Sequence, residues 1–235
     1  MVISNLRAIL QSQPQLEFLS LTSCHVKADL LNSILAADVP NLNHFKGPTR
    51  FAEVFLNAAP KLSKLDLAFG FEGPGLAYAP LGETWNGHKI RGLTISVDLN
   101  NVSNWDDFGS FLARFTNTES LNIMSKGWFH VHPLQFYLDG ISLHLRLLTL
   151  LRKLEIRGLR TTNPNDLDRT VKDLLTFKKY CPSLERFIDT EDRLWVYTPS
   201  FEDSDGRSFH AKLECKLESE WFIHFSDRLT LEWDA

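Results

Sequence analysis

Hydrophobic residues recur along the chain in one short phrase. An apolar residue is followed by two variable positions, a second apolar residue, one variable position and a third apolar residue. Four copies are complete and lie at 16–21, 62–67, 90–95 and 151–156. Three degenerate copies lie at 42–45, 118–123 and 184–187. Seven copies in chain order indicate an internal repeat, and each phrase has the length of a short strand.

The middle apolar residue of each phrase is called its anchor here. The anchors are Leu19, Phe45, Leu65, Leu93, Leu121, Leu154 and Phe187. Successive anchors are separated by 20 to 33 residues, which leaves room for a helix between strands. Pro14, Pro60 and Pro182 each stand two residues before the first position of a phrase, where a proline ends a helix and begins an extended segment.

Apolar residues at helical spacing fill the intervals between phrases. The clearest stripe consists of Trp105, Phe108, Phe111, Leu112 and Phe115. Further stripes are formed by Leu6, Ile9 and Leu10; by Leu31, Ile34 and Leu35; by Phe51, Val54, Phe55 and Ala58; by Leu134, Leu138, Ile141, Leu145 and Leu148; and by Leu167, Val171, Leu174 and Leu175. Strands and helices therefore alternate along most of the chain.

This alternation predicts an α/β fold of the leucine-rich-repeat solenoid type. We expect about seven irregular strand–helix repeats over residues 1–190, with a parallel sheet on the concave face. Residues 191–235 are predicted to form a small antiparallel β cap, because the apolar period there changes from helical to two. Its expected strands are 194–197, 209–217, 221–225 and 229–233, with Asp205-Gly206 in a turn. No capping segment precedes the first helical stripe. We therefore expect this chain to be the C-terminal part of a longer design, or a truncated form.

Two stretches resemble repeats of the F-box leucine-rich-repeat proteins, above all their large fungal group with long, irregular repeats. Residues 181–187 resemble the C-P-x-L-x-x-L start of such a repeat, and residues 19–24 resemble its L-x-L-x-x-C end. The resemblance covers roughly residues 1–190. It implies the substrate-binding arm of a cullin-based ubiquitin ligase. The chain departs from the family because no F-box sequence is found, so binding to the ligase adaptor is expected only if an F-box lies upstream of Met1.

Composition narrows the expected partners to proteins. The chain carries 25 basic and 29 acidic residues, a balance that does not favour nucleic acid or anionic membranes. The longest apolar window, 141–151, is interrupted by charge and is too short to span a bilayer. Three widely spaced cysteines and no signal peptide predict a reducing compartment, cytoplasmic or nuclear.

No pattern of catalytic residues is found, so a non-enzyme without cofactor or metal is predicted. The glycine-rich stretch 69–75 lacks the spacing of a phosphate-binding loop, and no G-x-S-x-G nucleophile motif occurs. Segment 69–89 is interpreted as an insertion, with a partner-binding loop as the alternative. His130 and His132 have no further ligand at metal-site spacing, and Asp203-x-Asp205-Gly206 fails as a calcium loop.

The variable positions beside the anchors are the candidate partner-binding residues, since they face away from the core of such a solenoid. They are Lys64, Asp66, Thr94, Ser96, Asn122, Lys153, Glu155, Arg157 and Arg186. The row becomes more basic toward its C-terminal repeats. We therefore expect either an acidic or phosphorylated protein segment as ligand, or an ordinary solvated surface. The alternative function is an interaction scaffold unconnected to ubiquitination.

Overall fold

The structure is a computed structural model. It describes residues 2–3, 6–22, 25–26, 34–68, 87–97, 105–125, 134–158, 174, 176–189, 193–200, 210–217 and 229–231. The strands are β1 Val2–Ile3, β2 Phe18–Ser20, β3 His25–Val26, β4 His44–Pro48, β5 Lys64–Ala68, β6 Gly92–Val97, β7 Ser120–Ser125, β8 Lys153–Arg157, β9 Arg186–Ile188, β10 Arg193–Ser200, β11 His210–Leu217 and β12 Leu229–Leu231. The α-helices are α1 Leu6–Gln11, α2 Thr49–Ala58, α3 Trp105–Leu112 and α4 Leu134–Leu145. Single 3-10 turns span Ala36–Asp38, Gly87–Lys89 and Ala113–Phe115.

One open sheet contains all the described strands except β1 and β3, which pair with each other. Strands β2 and β4 to β9 are parallel. They lie side by side in the sheet in the same order as in the chain. The predicted α/β class with alternating strands and helices is thus confirmed. The seven anchors are direct neighbours in the register, from Leu19 beside Phe45 to Leu154 beside Phe187.

The backbone hydrogen bonds repeat with the same period. In each phrase the carbonyl two residues before the anchor accepts from two successive N–H groups of the next phrase. Glu17 begins the series, and its carbonyl accepts from Asn43 and His44 at 2.9 and 3.0 Å. The same pair of bonds links every later neighbouring pair of phrases, up to the Arg152 carbonyl. The strand starts are therefore equivalent in backbone geometry as well as in sequence.

The core lies on the side of the sheet that carries the anchors. From Phe45 to Phe187 the anchors are buried, and so are the helical residues Phe55, Phe108 and Ile141. Thr118 occupies the first position of a degenerate phrase and is fully buried, where its hydroxyl donates to the Ile90 carbonyl at 3.5 Å. The core accepts this threonine because its hydroxyl has an acceptor.

The predicted helical stripes at 51–58 and 105–115 are confirmed, and the stripe predicted over 134–148 is helical only to Leu145; two N-terminal stripes are corrected. Ile9 is 52% exposed although it was assigned to the core side of α1. Leu35 is 54% exposed and precedes a 3-10 turn, so the expected second stripe is incomplete. Leu31, Leu167, Val171 and Leu175 lie outside the described residues.

Glycines allow α3 and α4 to approach each other closely. A Cβ at Gly109 would lie 2.3 Å from His144 Nδ1, and one at Gly140 would lie 2.2 Å from Trp105 Cε2. Each helix therefore receives a ring from the other against its backbone. The His144 and Phe108 rings meet edge to face, with centroids 6.2 Å apart.

The C-terminal strands continue the same sheet in antiparallel fashion. Strand β10 pairs with β9 and with β11, and β12 pairs with β11. These observations agree with the antiparallel strands predicted at 194–197, 209–217 and 229–233, of which residues 209, 232 and 233 lie outside the described residues. The strand expected at 221–225 and the turn at Asp205-Gly206 lie outside the described residues. The boundary between a solenoid and a cap at residue 190 stays a prediction. Strands β9 and β10, which lie on either side of it in the chain, pair with each other in one sheet.

Candidate functional site

The residues that flank the anchors form three rows across the second face of the sheet, which is called the polar face here. Row A precedes the anchors and consists of Phe18, His44, Lys64, Gly92, Ser120, Lys153 and Arg186. Row B follows the anchors and consists of Ser20, Lys46, Asp66, Thr94, Asn122, Glu155 and Ile188. Row C lies two residues further on and consists of Pro48, Ala68, Ser96, Met124 and Arg157. All nine predicted partner-binding residues belong to these rows.

Strand β8 carries a compact group of charges on the polar face. The Glu155 carboxylate forms ion pairs with Lys153, whose Nζ lies 3.4 Å from Oε2, and with Arg157 Nε. Asn122 Nδ2 donates to Glu155 Oε1 at 3.3 Å from the neighbouring strand. Glu155 is only 7% exposed, so it positions Lys153 and Arg157 from beneath and is not itself an open contact for a partner.

Row A carries cations at two separate places. Lys153 and Arg186 are direct neighbours in the register of β8 and β9. Lys64 lies three strands away, and its aliphatic stem crosses Gly92, where a Cβ would be 3.3 Å from Lys64 Cγ. Lys64 and Arg186 have no ion-pair partner among the described residues. The sequence analysis predicted that basic residues become more frequent toward the C-terminal repeats. This prediction is incomplete, because Lys64 on β5 is also basic.

The aromatic and basic residues of the polar face that the sequence analysis did not predict are Phe18, His44 and Lys46. His44 Nε2 lies 3.1 Å from Asp66 Oδ2, and the His44 ring packs at 4.7 Å from the Phe18 ring. Phe18 is 49% exposed. The signal that would have identified them is their spacing from the anchors, since Phe18 precedes Leu19, His44 precedes Phe45 and Lys46 follows Phe45.

The middle of the polar face is small and uncharged. Thr94, Ser96 and Asn122 are half-buried on β6 and β7, and Met124 is 39% exposed beside them. Ser96 Oγ donates to Met124 Sδ at 3.9 Å. Along row A, Gly92 and Ser120 are the residues of the described strands that lie between Lys64 on β5 and Lys153 on β8.

No family model and no curated protein matches this chain.

Most of the remaining candidate sites lie outside the residues that the structure describes. His130, His132, Asp203 and Asp205 are outside the described residues, as is the glycine-rich segment up to residue 86. Within the described part of the chain, no three histidine, cysteine or acidic side chains come together as metal ligands. In that same part, no helix has the length and apolarity that crossing a membrane requires.

The structure describes Cys181, whereas Cys24 lies outside the described residues. Cys181 is buried in the turn before β9, with Sγ 3.5 Å from the Leu151 carbonyl. Burial raises the pKa of its thiol, which disfavours the reactive thiolate. The arrangement is that of a packing residue.

Proposed function

We propose that this chain is a leucine-rich-repeat recognition module that binds a protein partner on its polar face and catalyses no reaction. The observation that carries the proposal is the equivalence of the seven phrases. Their anchors share one register, and their strand starts share one pattern of paired hydrogen bonds. Repeats stacked in this way present an extended surface suited to binding another protein.

The polar face has the composition of such a surface. It carries charged side chains at both ends, an exposed aromatic ring at Phe18 and an exposed thioether at Met124. Aromatic, methionine and arginine side chains are enriched where proteins bind one another. The opposite face of the sheet is occupied by the core.

Two variants with matched chemistry test the proposal. Thr94→Tyr adds a bulky ring in the middle of the polar face, and Ser110→Tyr adds the same ring at an exposed position of α3. Proteins captured by the wild-type chain are quantified by mass spectrometry against both variants. We expect a specific partner to be lost with Thr94→Tyr and kept with Ser110→Tyr. Equal capture by all three proteins would contradict recognition through the polar face.

Within this function, the resemblance of residues 19–24 and 181–187 to F-box leucine-rich-repeat proteins favours a substrate receptor of a ubiquitin ligase over a plain scaffold. The chain itself should not bind the ligase adaptor, since it has no F-box sequence. Size-exclusion chromatography of the mixed proteins checks this expectation, and a stable complex would contradict it.

A further inference from the structure

The charges of the polar face differ in sign from those of the whole chain. The three rows hold five basic residues, Lys46, Lys64, Lys153, Arg157 and Arg186, against the acidic Asp66 and Glu155. The face is thus basic while the chain has a net charge of −4. Lys153 and Arg157 share the single carboxylate of Glu155, and Asp66 lies 3.1 Å from His44, whereas Lys46, Lys64 and Arg186 have no ion-pair partner among the described residues. The charges of the polar face that remain unpaired are therefore positive and favour an anionic ligand.

Row A is the most basic of the three rows and contains no carboxylate. Its cations stand on β5, β8 and β9, with Gly92 and Ser120 on the two strands between. Neighbouring strands are about 4.8 Å apart. Along row A, the backbone position of Lys153 is therefore about 14 Å from that of Lys64, and the backbone position of Arg186 is about 19 Å from that of Lys64.

An extended peptide has a matching repeat. It advances about 3.4 Å per residue, and alternate side chains point to the same side. Residues 1, 5 and 7 of an extended segment thus share one side, at about 0, 14 and 20 Å along it. These distances coincide with those of Lys64, Lys153 and Arg186.

Building on the proposed function, we infer that row A binds an extended acidic segment of a partner protein, with carboxylates at its positions 1, 5 and 7. Position 1 pairs with Lys64, position 5 with Lys153 and position 7 with Arg186. Ser120 is small, so the intervening positions cross β7 without a large side chain of row A beneath them, while the stem of Lys64 lies over Gly92 on β6. Single carboxylates fit better than one phosphate, because the Glu155 carboxylate beside Lys153 repels a dianion.

Synthetic peptides test the spacing directly. A fluorescent peptide with Asp at positions 1, 5 and 7 and Ser or Gly elsewhere is titrated into the full chain and followed by anisotropy. A second peptide of the same composition carries Asp at positions 1, 4 and 6, which turns the first carboxylate to the opposite side. We expect the first peptide to bind about tenfold more tightly, because it forms one more charged pair. Equal affinity of both peptides, or tighter binding of a dT12 oligonucleotide, would overturn the inference.

Charge reversals assign the pairs. Lys64→Glu and Arg186→Glu should each weaken the matched peptide by about tenfold or more. Lys179→Glu, at an exposed position of the helical segment 176–180, is the control and should leave the affinity unchanged. An equal loss in all three variants would show an effect of net charge alone and would contradict the assignment to row A.

The two proposals fail separately. If the matched peptide does not bind but Thr94→Tyr still removes a captured partner, the acidic segment is wrong and recognition through the polar face stands. If Thr94→Tyr changes nothing while the peptide binds with the expected spacing, the peptide site stands and the recognition function is wrong.

Discussion

The first and last phrases of the repeat have similar sequences and different surroundings. Both begin with a proline two residues before the first apolar position, at Pro14 and Pro182. In the first phrase the apolar positions Leu16 and Leu19 are only half-buried. In the last phrase Leu184 and Phe187 are exposed by 0% and 3%.

Neighbours explain this difference. Among the described strands, β2 pairs only with β4, whereas β9 lies between β8 and β10. Phe187 meets the Phe177 ring at 5.2 Å, and Trp195 of β10 is its partner in the register. The same phrase thus contributes more apolar burial where strands lie on both sides, as expected when stacked repeats stabilise one another.

The largest effect is expected at the buried end. Phe187→Ala removes an aromatic ring from between Phe177 and Trp195 and should lower the free energy of unfolding by roughly 3–5 kcal/mol. Urea denaturation followed by circular dichroism measures this. A loss below about 1 kcal/mol would show that β10 does not cover the last phrase as the burial indicates.

A buried polar group at the same end should have the next largest effect. Asp189 is 4% exposed and accepts from Arg193 Nε at 2.7 Å and from Trp195 Nε1 at 2.9 Å. Asp189→Asn keeps the shape but removes the charge, and should cost about 2 kcal/mol in the same urea assay.

The control for this carboxylate is Glu185→Gln, whose partner Arg152 lies 3.8 Å away in an exposed pair. It should change the free energy of unfolding by no more than about 0.5 kcal/mol. Equal losses for the two variants would contradict a role of Asp189 in joining β9 to β10.

Between the two ends of the sheet, His144 should make the stability of the chain depend on pH. Burial lowers the pKa of His144, Arg146 adds to this effect and Asp106 opposes it. The unfolded chain therefore binds a proton more readily than the folded one, so stability should fall as pH drops below about 6.5. One proton limits the slope to about 1.4 kcal/mol per pH unit.

Urea denaturation between pH 5 and 8 measures this slope. The slope should become shallower in His144→Leu than in the wild-type chain. If the wild-type chain were equally stable at both pH limits, the packing of His144 against Gly109 would not control its protonation.

The smallest effect is expected at the exposed end. Leu19→Ala should lower the free energy of unfolding by about 1 kcal/mol, since the leucine is only half-buried. The same chemical change at the equivalent anchor Leu121, which is fully buried, should cost roughly 2–5 kcal/mol. Equal costs at the two anchors would contradict the dependence of burial on neighbouring strands.

The parallel sheet and its register followed from the sequence because the anchors alone determine which residues become neighbours. The exposed Ile9 and Leu35 were not predictable, since apolar spacing indicates a face but not whether another element covers it. The polar face was predicted in outline from Lys64 to Arg186. The buried position of Glu155 was not, because charged pairing across a sheet depends on side-chain conformation rather than on spacing.

Residue-specific cross-linking tests the central claim, recognition through the polar face, most directly. A photoreactive phenylalanine analogue is placed at Ser96 on the polar face or at Ser110 on α3, and each chain is irradiated with its captured partner. Cross-links to the partner from Ser96 and none from Ser110 are the predicted result. Cross-links from Ser110 alone would contradict it, because the partner would then contact the helices instead of the polar face.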